Sequence, residues 1–69
     1  MKPNGVMIRG VRHGRKMSLR ELEAQTGLNR GYLSRLENEQ LEDVGSEQVR
    51  RVAAALRVPE SLIVEETTP

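Results

Sequence analysis

Residues 18–37 contain two helix-start signals separated by one glycine, and this arrangement limits what the chain can fold into. Ser18 is followed three residues later by Glu21, which is the spacing of a capping box. Asn29 is a second residue of the type that favours the position before a helix. Gly27 lies between the two signals, and glycine ends a helix at little cost because it adopts the left-handed conformation. The pattern predicts two helices of about two turns each, which need further elements to form a core.

An apolar stripe with helical spacing predicts another helix before this pair, from Gly5 to about Lys16. The stripe consists of Met7, Ile8 and Val11. Gly10 and Gly14 share one face of this helix, and each costs about 1 kcal/mol relative to alanine in a helix interior. They indicate either a close packing contact or a weakly formed helix, and we favour the weak helix. Residues 1–4 are predicted to be a flexible N-terminal arm.

Two more helices are predicted after the pair. Ser46 is a candidate N-cap, and apolar residues with amphipathic-helix spacing follow it: Val49, Val52, Ala53 and Leu56. Pro59 suits the first position of a short fifth helix. Leu62 and Ile63 would be the core contacts of that helix.

Together these elements predict an all-α fold, a compact bundle of five short helices without strands. The domain covers residues 5–64, and residues 65–69 are predicted to be a disordered tail. No apolar run approaches the roughly 20 residues that span a bilayer, so no membrane partner is expected. The N-terminus also lacks the apolar segment of a signal peptide. We therefore expect a cytoplasmic protein.

Composition argues against several kinds of site. The chain has no cysteine and one histidine, His13, so neither a thiolate site nor a cluster of metal-ligating histidines is expected. Tyr32 is the one aromatic residue, which argues against a single-strand binder with stacking platforms. No nucleophile–base set, paired carboxylate or phosphate-binding glycine loop is present in the pattern. We expect no enzyme, metal, cofactor or small-molecule ligand.

The charge of the chain is divided between its two halves. Residues 1–36 carry eight Lys or Arg against two Glu, whereas residues 37–69 carry three Arg against eight acidic residues. The formal net charge of +1 therefore hides a strongly basic first half, which contains the capped helix pair. Such asymmetry is typical of a nucleic-acid binder, although an unevenly charged solvated surface would give the same count.

Several residues of the helix pair and its flanks form one family pattern: Arg12, Ser18, Leu22, Gly27, Leu28, Leu33, Leu36, Glu37, Val52, Ala53, Leu56, Val58 and Ile63. Through them the chain resembles the DNA-binding domain of Cro/CI-type (Xre-like, lambda-repressor-like) helix-turn-helix regulators of phages and bacteria. The match is ungapped over residues 8–37. The resemblance implies that helices two and three form a helix-turn-helix over residues 18–37. It also implies that helix three enters the major groove of DNA.

The resemblance also implies roles for individual residues. Base contacts would come from Asn29, Arg30, Gly31, Ser34 and Arg35. Phosphate contacts would come from Arg15, Lys16, Ser18, Leu19, Arg20, Tyr32 and Asn38. The alternative for Arg30 and Arg35 is a solvated or ion-paired helix face, for instance Arg35 with Glu39, and Tyr32 could equally pack at the core edge. Arg12 and Glu37 would form a partly buried ion pair, for which a surface pair is the alternative.

Three residues depart from the family pattern. Glu23 stands where relatives carry a small residue, so it must lean outward or pair with Arg20 or Arg30. Glu39 stands where relatives often carry glycine, and Asn38 is expected to adopt the left-handed conformation instead. Leu19 replaces a glutamine that binds phosphate in many relatives, which predicts a looser clamp on the DNA backbone.

The function expected from this resemblance is sequence-specific binding of double-stranded DNA by a transcriptional regulator. We expect a phage or mobile-element repressor that acts by occlusion, because 69 residues leave no room for an effector-binding domain. The family favours a homodimer through the fifth helix and tail, and a monomer stays open. The alternative function is a protein-interaction module, such as an antitoxin or accessory domain, that uses the acidic second half.

Overall fold

The computed structural model describes residues 1–65, and this part of the chain contains four α-helices, one 3₁₀ turn and two short strands. The helices are α1 (Gly5–Gly14), α2 (Leu19–Thr26), α3 (Arg30–Glu37) and α4 (Ser46–Leu56). The 3₁₀ turn is Glu60–Leu62, and the strands are β1 (Lys2–Pro3) and β2 (Val64–Glu65). The mostly helical fold with a helix-turn-helix is confirmed. The predicted fifth helix and the predicted lack of strands are wrong.

Aliphatic side chains from all four helices, the loop before α4 and the C-terminal segment form one core. Its buried members are Ile8, Leu22, Leu33, Leu36, Val44, Val49, Val52, Ala53, Leu56 and Ile63. All four apolar positions predicted for α4 are among them, and so is Ile63. Leu62 is 38% exposed, so its predicted core role is wrong. Adjacent side chains in a tight turn point in different directions, and here the Ile63 side chain points into the core.

The segment after α4 turns once instead of forming a helix. Arg57 ends α4 in the left-handed conformation with φ 59°. Pro59 then precedes a single 3₁₀ turn, in which the N–H of Leu62 donates to the Pro59 carbonyl at 3.0 Å. The Ile63 carbonyl next accepts the N–H of Asn4 at 2.8 Å. The chain leaves the helical path here because its backbone pairs with the N-terminal segment.

That N-terminal segment is a paired strand, which differs from the predicted flexible arm. β1 runs antiparallel to β2, with Lys2 opposite Glu65 and Pro3 opposite Val64. Pro3 is fully buried, and β1 belongs to a two-stranded sheet, where proline is tolerated at an edge. Glu65, assigned by the sequence to the tail, therefore lies in a strand. Residues 66–69 of the predicted tail lie outside the described residues.

The glycines of α1 differ in what surrounds them. A Cβ on Gly10 or Gly14 would meet no atom within 4 Å, so the alternative of a close packing contact on their face is wrong, and the weak helix stays a prediction. Gly5 is the glycine that packs closely. A Cβ built there would lie 2.6 Å from the Glu37 carbonyl oxygen, so α1 begins directly against the end of α3.

Two predicted helix boundaries shift slightly. α1 ends at Gly14 rather than near Lys16, because Lys16 adopts the left-handed conformation with φ 55°. α4 is capped by Gly45 without a side-chain hydrogen bond, so Ser46 is its first helical residue and not its N-cap. A Cβ at residue 45 would meet the amide oxygen at the flexible end of the Gln48 side chain, which can move aside, so this contact alone does not require glycine at the cap.

None of the helices in residues 1–65 has the length and apolar character that crossing a membrane requires.

Candidate nucleic-acid interface

The start of α2 is built by its capping box, as predicted. The Ser18 hydroxyl accepts the N–H of Glu21 at 3.0 Å, and the Glu21 carboxylate accepts the N–H of Ser18 at 3.4 Å. The helical ladder begins where Leu22 donates to the Ser18 carbonyl at 3.0 Å. The N–H groups of Leu19 and Arg20 lie in the turn before that, where a helix leaves donors for an anion. Glu21 occupies the Ser18 N–H, so these two are the better-placed amides for the predicted phosphate contact.

The turn between α2 and α3 depends on a threonine as well as the predicted glycine. Gly27 has φ 74°, the left-handed conformation expected from the sequence. Thr26 is 5% exposed, and its hydroxyl donates to the Leu22 carbonyl at 2.7 Å while accepting the N–H of Leu28 at 3.1 Å. Sequence reasoning missed Thr26. Its position just before a helix-ending glycine was the available indication, because threonine hydroxyls bond backbone groups two to four residues away.

The start of α3 is held by two side chains. Asn29 is the N-cap, as predicted, and its side-chain oxygen accepts the N–H of Gly31 at 2.7 Å. The Glu23 carboxylate accepts the N–H of Arg30 at 2.9 Å and lies 3.7 Å from the Arg30 Nε. Of the two cationic partners considered for Glu23, the structure therefore places Arg30 beside it. The glutamate that departs from the family pattern bridges the two helices of the motif.

The two faces of α3 differ in chemistry. Leu33, Leu36 and Glu37 are buried. The residues predicted to contact bases lie on the other side, fully or partly exposed: Asn29, Arg30, Gly31, Ser34 and Arg35. The alternative pairing of Arg35 with Glu39 is not among the ion pairs formed within residues 1–65. The structure thus brings the five residues together on one outward, cationic surface.

Tyr32 lies at the boundary between these faces. It is half-buried and packs against the core, which corresponds to the core-edge alternative. Burial raises the pKa of its hydroxyl, and the nearby Arg35 charge opposes that rise. The phosphate contact predicted for the hydroxyl stays a prediction.

The end of α3 corrects one expectation. Asn38 has φ −88°, and Glu39 instead adopts the left-handed conformation with φ 58°. Relatives often carry glycine at this position, and glutamate occupies it at a conformational cost. The Asn38 side-chain oxygen accepts a hydrogen bond from the Arg9 guanidinium at 2.6 Å, and its N–H donates to the Ser34 carbonyl at 3.0 Å. Its side-chain oxygen and its backbone N–H are therefore engaged by other residues of the chain, although Asn38 is exposed.

A buried ion pair joins α1 to the last residue of α3. The Arg12 Nε and Nη2 atoms donate to the two Glu37 carboxylate oxygens at 2.6 and 2.9 Å, and Nη1 donates to the Met17 carbonyl at 2.8 Å. Arg12 is 8% and Glu37 3% exposed. The Glu37 hydrogen bond raises the Arg12 pKa, against the opposing effect of burial. Arg9 reaches the same carboxylate from the solvent side at 3.4 Å, a contact that the sequence did not indicate.

The cationic side chains predicted to contact phosphate are exposed around the ends of α1 and α2. Arg15, Lys16 and Arg20 all lie in this region. Arg15 makes a long hydrogen bond of 3.4 Å to the Arg57 carbonyl, whereas Lys16 occupies the turn after α1. Phosphate groups require only reach and positive charge, and these side chains provide both beside the amides of α2.

The acidic loop after α3 is partly neutralised within the chain. The Met1 amine bonds to the Asp43 carboxylate, and this hydrogen bond lowers the Asp43 pKa. The N–H of Val44 donates to the Met1 carbonyl at 2.7 Å. In residues 1–65 no group of three or more histidine and acidic side chains could hold a metal ion.

Comparisons with known proteins agree with this geometry. The model of a family described as helix-turn-helix matches residues 8–63. A search of curated proteins gives no significant match. Among solved structures, the restriction-modification controller protein C.AhdI from Aeromonas hydrophila is similar, with a TM-score of 0.77 and 26% identity over 83% of this chain and 85% of that chain. Two structures of the clp gene regulator ClgR from Corynebacterium glutamicum are also similar. Their TM-scores are 0.74 and 0.76, each with 33% identity over 83% of this chain, and 73% and 60% of theirs.

Proposed function

The chain belongs to the Xre/Cro-CI-like helix-turn-helix family of DNA-binding transcriptional regulators, and on this premise we propose that it binds double-stranded DNA sequence-specifically. In this proposal α3 lies in the major groove and α2 lies across the DNA backbone. The family consists of regulators and not of enzymes, so the activity to test is binding.

One observation carries the proposal: α3 buries Leu33 and Leu36 while it presents a polar, cationic face outward. Arg30 lies at the first position of that helix, where a side chain can reach base edges. Arginine bonds guanine O6 and N7 in a bidentate manner, which is worth about 1–3 kcal/mol of discrimination. Asn29, Ser34 and Arg35 supply further groups beside it. Gly31 adds no side chain and lets the helix approach the bases.

Phosphate binding is proposed for the groups around the start of α2. The amides of Leu19 and Arg20 point toward an anion at the helix start, and Arg15, Lys16 and Arg20 add positive charge. Ser18, Tyr32 and Asn38 complete the predicted set. Because Leu19 has no amide side chain to clamp a phosphate, much of the affinity would come from these charges.

We further propose that the protein represses transcription by occlusion, as a phage or mobile-element repressor would. A protein bound over promoter DNA excludes polymerase by its volume alone. The likeness to a restriction-modification controller and a clp gene regulator supports gene regulation as the setting. A homodimer would use the surface of the 3₁₀ turn Glu60–Leu62 and β2, where Leu62 is 38% exposed.

The salt dependence of duplex binding tests this function. If lysines and arginines neutralise about five phosphates, the logarithm of the binding constant should fall against the logarithm of salt concentration with a slope of about −4.5. Lys16→Ala should weaken binding to all duplexes alike and make the slope shallower by about 0.9. Arg50→Ala on α4 removes the same charge outside the proposed interface and should leave the slope unchanged.

Sequence preference is tested by selecting bound duplexes from a random pool. Arg30→Ala should relax the preference for guanine at one position, while Lys16→Ala should keep the wild-type preference. A palindromic enriched site indicates a dimer, and a single half-site indicates a monomer. A chain that bound no duplex, or bound without a salt slope, would contradict the proposal and favour a protein-interaction module.

A further inference from the structure

Glu23 holds both the backbone and the side chain of Arg30. One carboxylate oxygen of Glu23 accepts the Arg30 N–H at 2.9 Å, and the other lies 3.7 Å from the Arg30 Nε. Glu23 belongs to α2, whereas Arg30 is the first residue of α3. A single carboxylate therefore bridges the two motif helices at the place where the recognition surface begins.

This bridge restricts an otherwise mobile arginine. A free arginine side chain samples many rotamers and loses that freedom when it binds a fixed target. The Glu23 carboxylate, 3.7 Å from the Arg30 Nε, would reduce the loss by favouring the rotamers that keep this ion pair, which is the general benefit of preorganisation. The Arg30 side chain nevertheless stays 54% exposed, so a ligand can reach it.

The bridge also leaves the terminal nitrogens of the Arg30 guanidinium available for hydrogen bonds to DNA. Nε is the side-chain nitrogen through which Arg30 forms the ion pair with the carboxylate, so the terminal Nη1 and Nη2 atoms are left for another acceptor. A guanine edge offers two acceptors, O6 and N7, which a pair of N–H groups can match. A phosphate at the same place would approach the Glu23 carboxylate and be repelled, whereas a neutral base edge would not carry that cost.

We propose that Glu23 is a positioning residue that directs Arg30 to a guanine edge and away from phosphate, and so sets the sequence preference of the protein. This inference rests on the proposed function, since it requires α3 to read DNA. It gives a role to the residue at which the chain departs most clearly from its family pattern. The negative charge of Glu23 lowers the affinity of the protein for DNA in general, whereas its contact with Arg30 increases the discrimination between sequences.

A purely structural role is the competing explanation, because Glu23 also caps α3 through the Arg30 N–H. Glu23→Gln separates the two roles. Its side-chain oxygen can still accept that N–H, but the negative charge beside the guanidinium is lost. Glu42→Gln is the matched control, since it makes the same charge change in the exposed loop after α3. Thermal unfolding of each variant establishes the temperature range in which it is folded.

Selection with Arg30→Ala first identifies the base position at which the preference for guanine is relaxed. The measured quantity is then the ratio of two affinities, one for the preferred duplex and one for a duplex in which that guanine is replaced. Arg30→Ala should lower this ratio by about 5- to 150-fold. Glu23→Gln should lower it by about 2- to 5-fold, the range of a partly exposed ion pair. Glu42→Gln should leave the ratio unchanged, although both glutamine variants should bind all duplexes more tightly because they remove a negative charge.

The double variant Glu23→Gln/Arg30→Ala should show the same ratio as Arg30→Ala alone, because Glu23 acts through Arg30. The inference is overturned if Glu23→Gln keeps the wild-type ratio, if Glu42→Gln lowers it equally, or if the double variant falls below Arg30→Ala. It is also overturned if Arg30→Ala itself relaxes no position. In each of these cases the wild-type protein still binds duplex DNA with a salt slope, whereas the proposed function fails if the wild-type protein binds no duplex or binds without that slope.

Discussion

Glu37 receives hydrogen bonds from two arginines that differ in their exposure to solvent. Arg12 reaches its carboxylate from inside the protein, with a side chain that is 10% exposed, and Arg9 reaches it from a side chain that is 47% exposed. Both arginines lie on α1, and substitution of either one removes one positive charge. The pair therefore separates the effect of burial from the effect of charge at one acceptor.

Arg12→Met should lower the free energy of unfolding by about 3–5 kcal/mol, because it leaves a buried carboxylate without its inner partner. Arg9→Met should cost no more than about 1 kcal/mol, the usual range for an exposed pair. Urea denaturation of the two variants measures both values. Similar losses of unfolding free energy in the two variants would contradict the importance of burial. An Arg12→Met variant that is unfolded without denaturant would be the largest form of the expected loss.

Glu39 follows α3 in a backbone conformation that lowers the stability of the fold. It is exposed and has φ 58°, a conformation that side chains with a Cβ adopt at a cost. Glu39→Gly should raise the free energy of unfolding by about 0.5–1 kcal/mol. Glu42→Gly, in the same loop but outside the left-handed region, should lower it by about 0.4–1 kcal/mol, because it adds freedom to the unfolded chain. Chemical denaturation of both variants tests whether their changes in unfolding free energy have opposite signs.

At the element scale, the position of α1 relative to α3 depends on Gly5. The first turn of α1 lies against the last carbonyls of α3, close enough that a Cβ at Gly5 would overlap the Leu36 and Glu37 carbonyl oxygens. The positive end of one helix dipole thus meets the negative end of another, which is favourable. A larger residue at this point would push α3 out of place.

Gly5→Ala should destabilise the fold by about 1–3 kcal/mol, because the overlapping atoms belong to backbone that can shift little. Gly10→Ala, in the same helix, should stabilise it by about 0.5–1 kcal/mol, because its Cβ meets nothing within 4 Å and alanine favours helix. Melting curves of the two variants give the comparison. Stabilisation by both substitutions would show that α1 and α3 are not in close contact.

The elements that sequence could predict are those whose partners are close in the chain. The Ser18 capping box, the Asn29 cap and the left-handed Gly27 all involve atoms within four residues of each other. The Gly5 contact and the β1–β2 pairing join residues more than thirty positions apart, and no local pattern records them. The left-handed position at Glu39 was missed because asparagine is the commoner choice.

The candidate site was predictable to a similar extent. The resemblance placed five residues on the outward face of α3, and the structure brings them together there. Residue types alone left the partner of Glu23 undecided between Arg20 and Arg30, because that choice depends on how α2 and α3 cross. The engagement of Asn38 by Arg9 likewise depends on the placement of α1.

At the scale of the whole molecule, the N-terminal and C-terminal segments hold each other in place. β1 pairs with β2, and the Met1 and Val44 backbones exchange hydrogen bonds of 2.7 and 3.2 Å. Within this sheet Pro3 is buried, while Lys2 is exposed and pairs with Glu65 at 3.2 Å. The small core is therefore closed by residues from both ends of the described chain.

Pro3→Ser should lower the free energy of unfolding by about 1–3 kcal/mol, because it replaces a buried ring with a polar group. Lys2→Ser should change it by less than about 1 kcal/mol, since it removes an exposed ion pair. Guanidinium denaturation distinguishes this closed sheet from a free arm. In a free arm, both substitutions would be equally harmless.

α3 is fixed at its two ends by different parts of the protein, with Glu23 at Arg30 and the Arg12 and Gly5 contacts at Glu37. Between these supports, the exposed residues contribute little to the core. Substitution of Ser34 or Arg35 therefore leaves the frame beneath them in place, whereas a Cβ at Gly31 would lie 3.0 Å from the Asn29 oxygen that caps the helix. If α3 reads DNA as proposed, a few substitutions on that single exposed face would be enough to give the same scaffold a different operator.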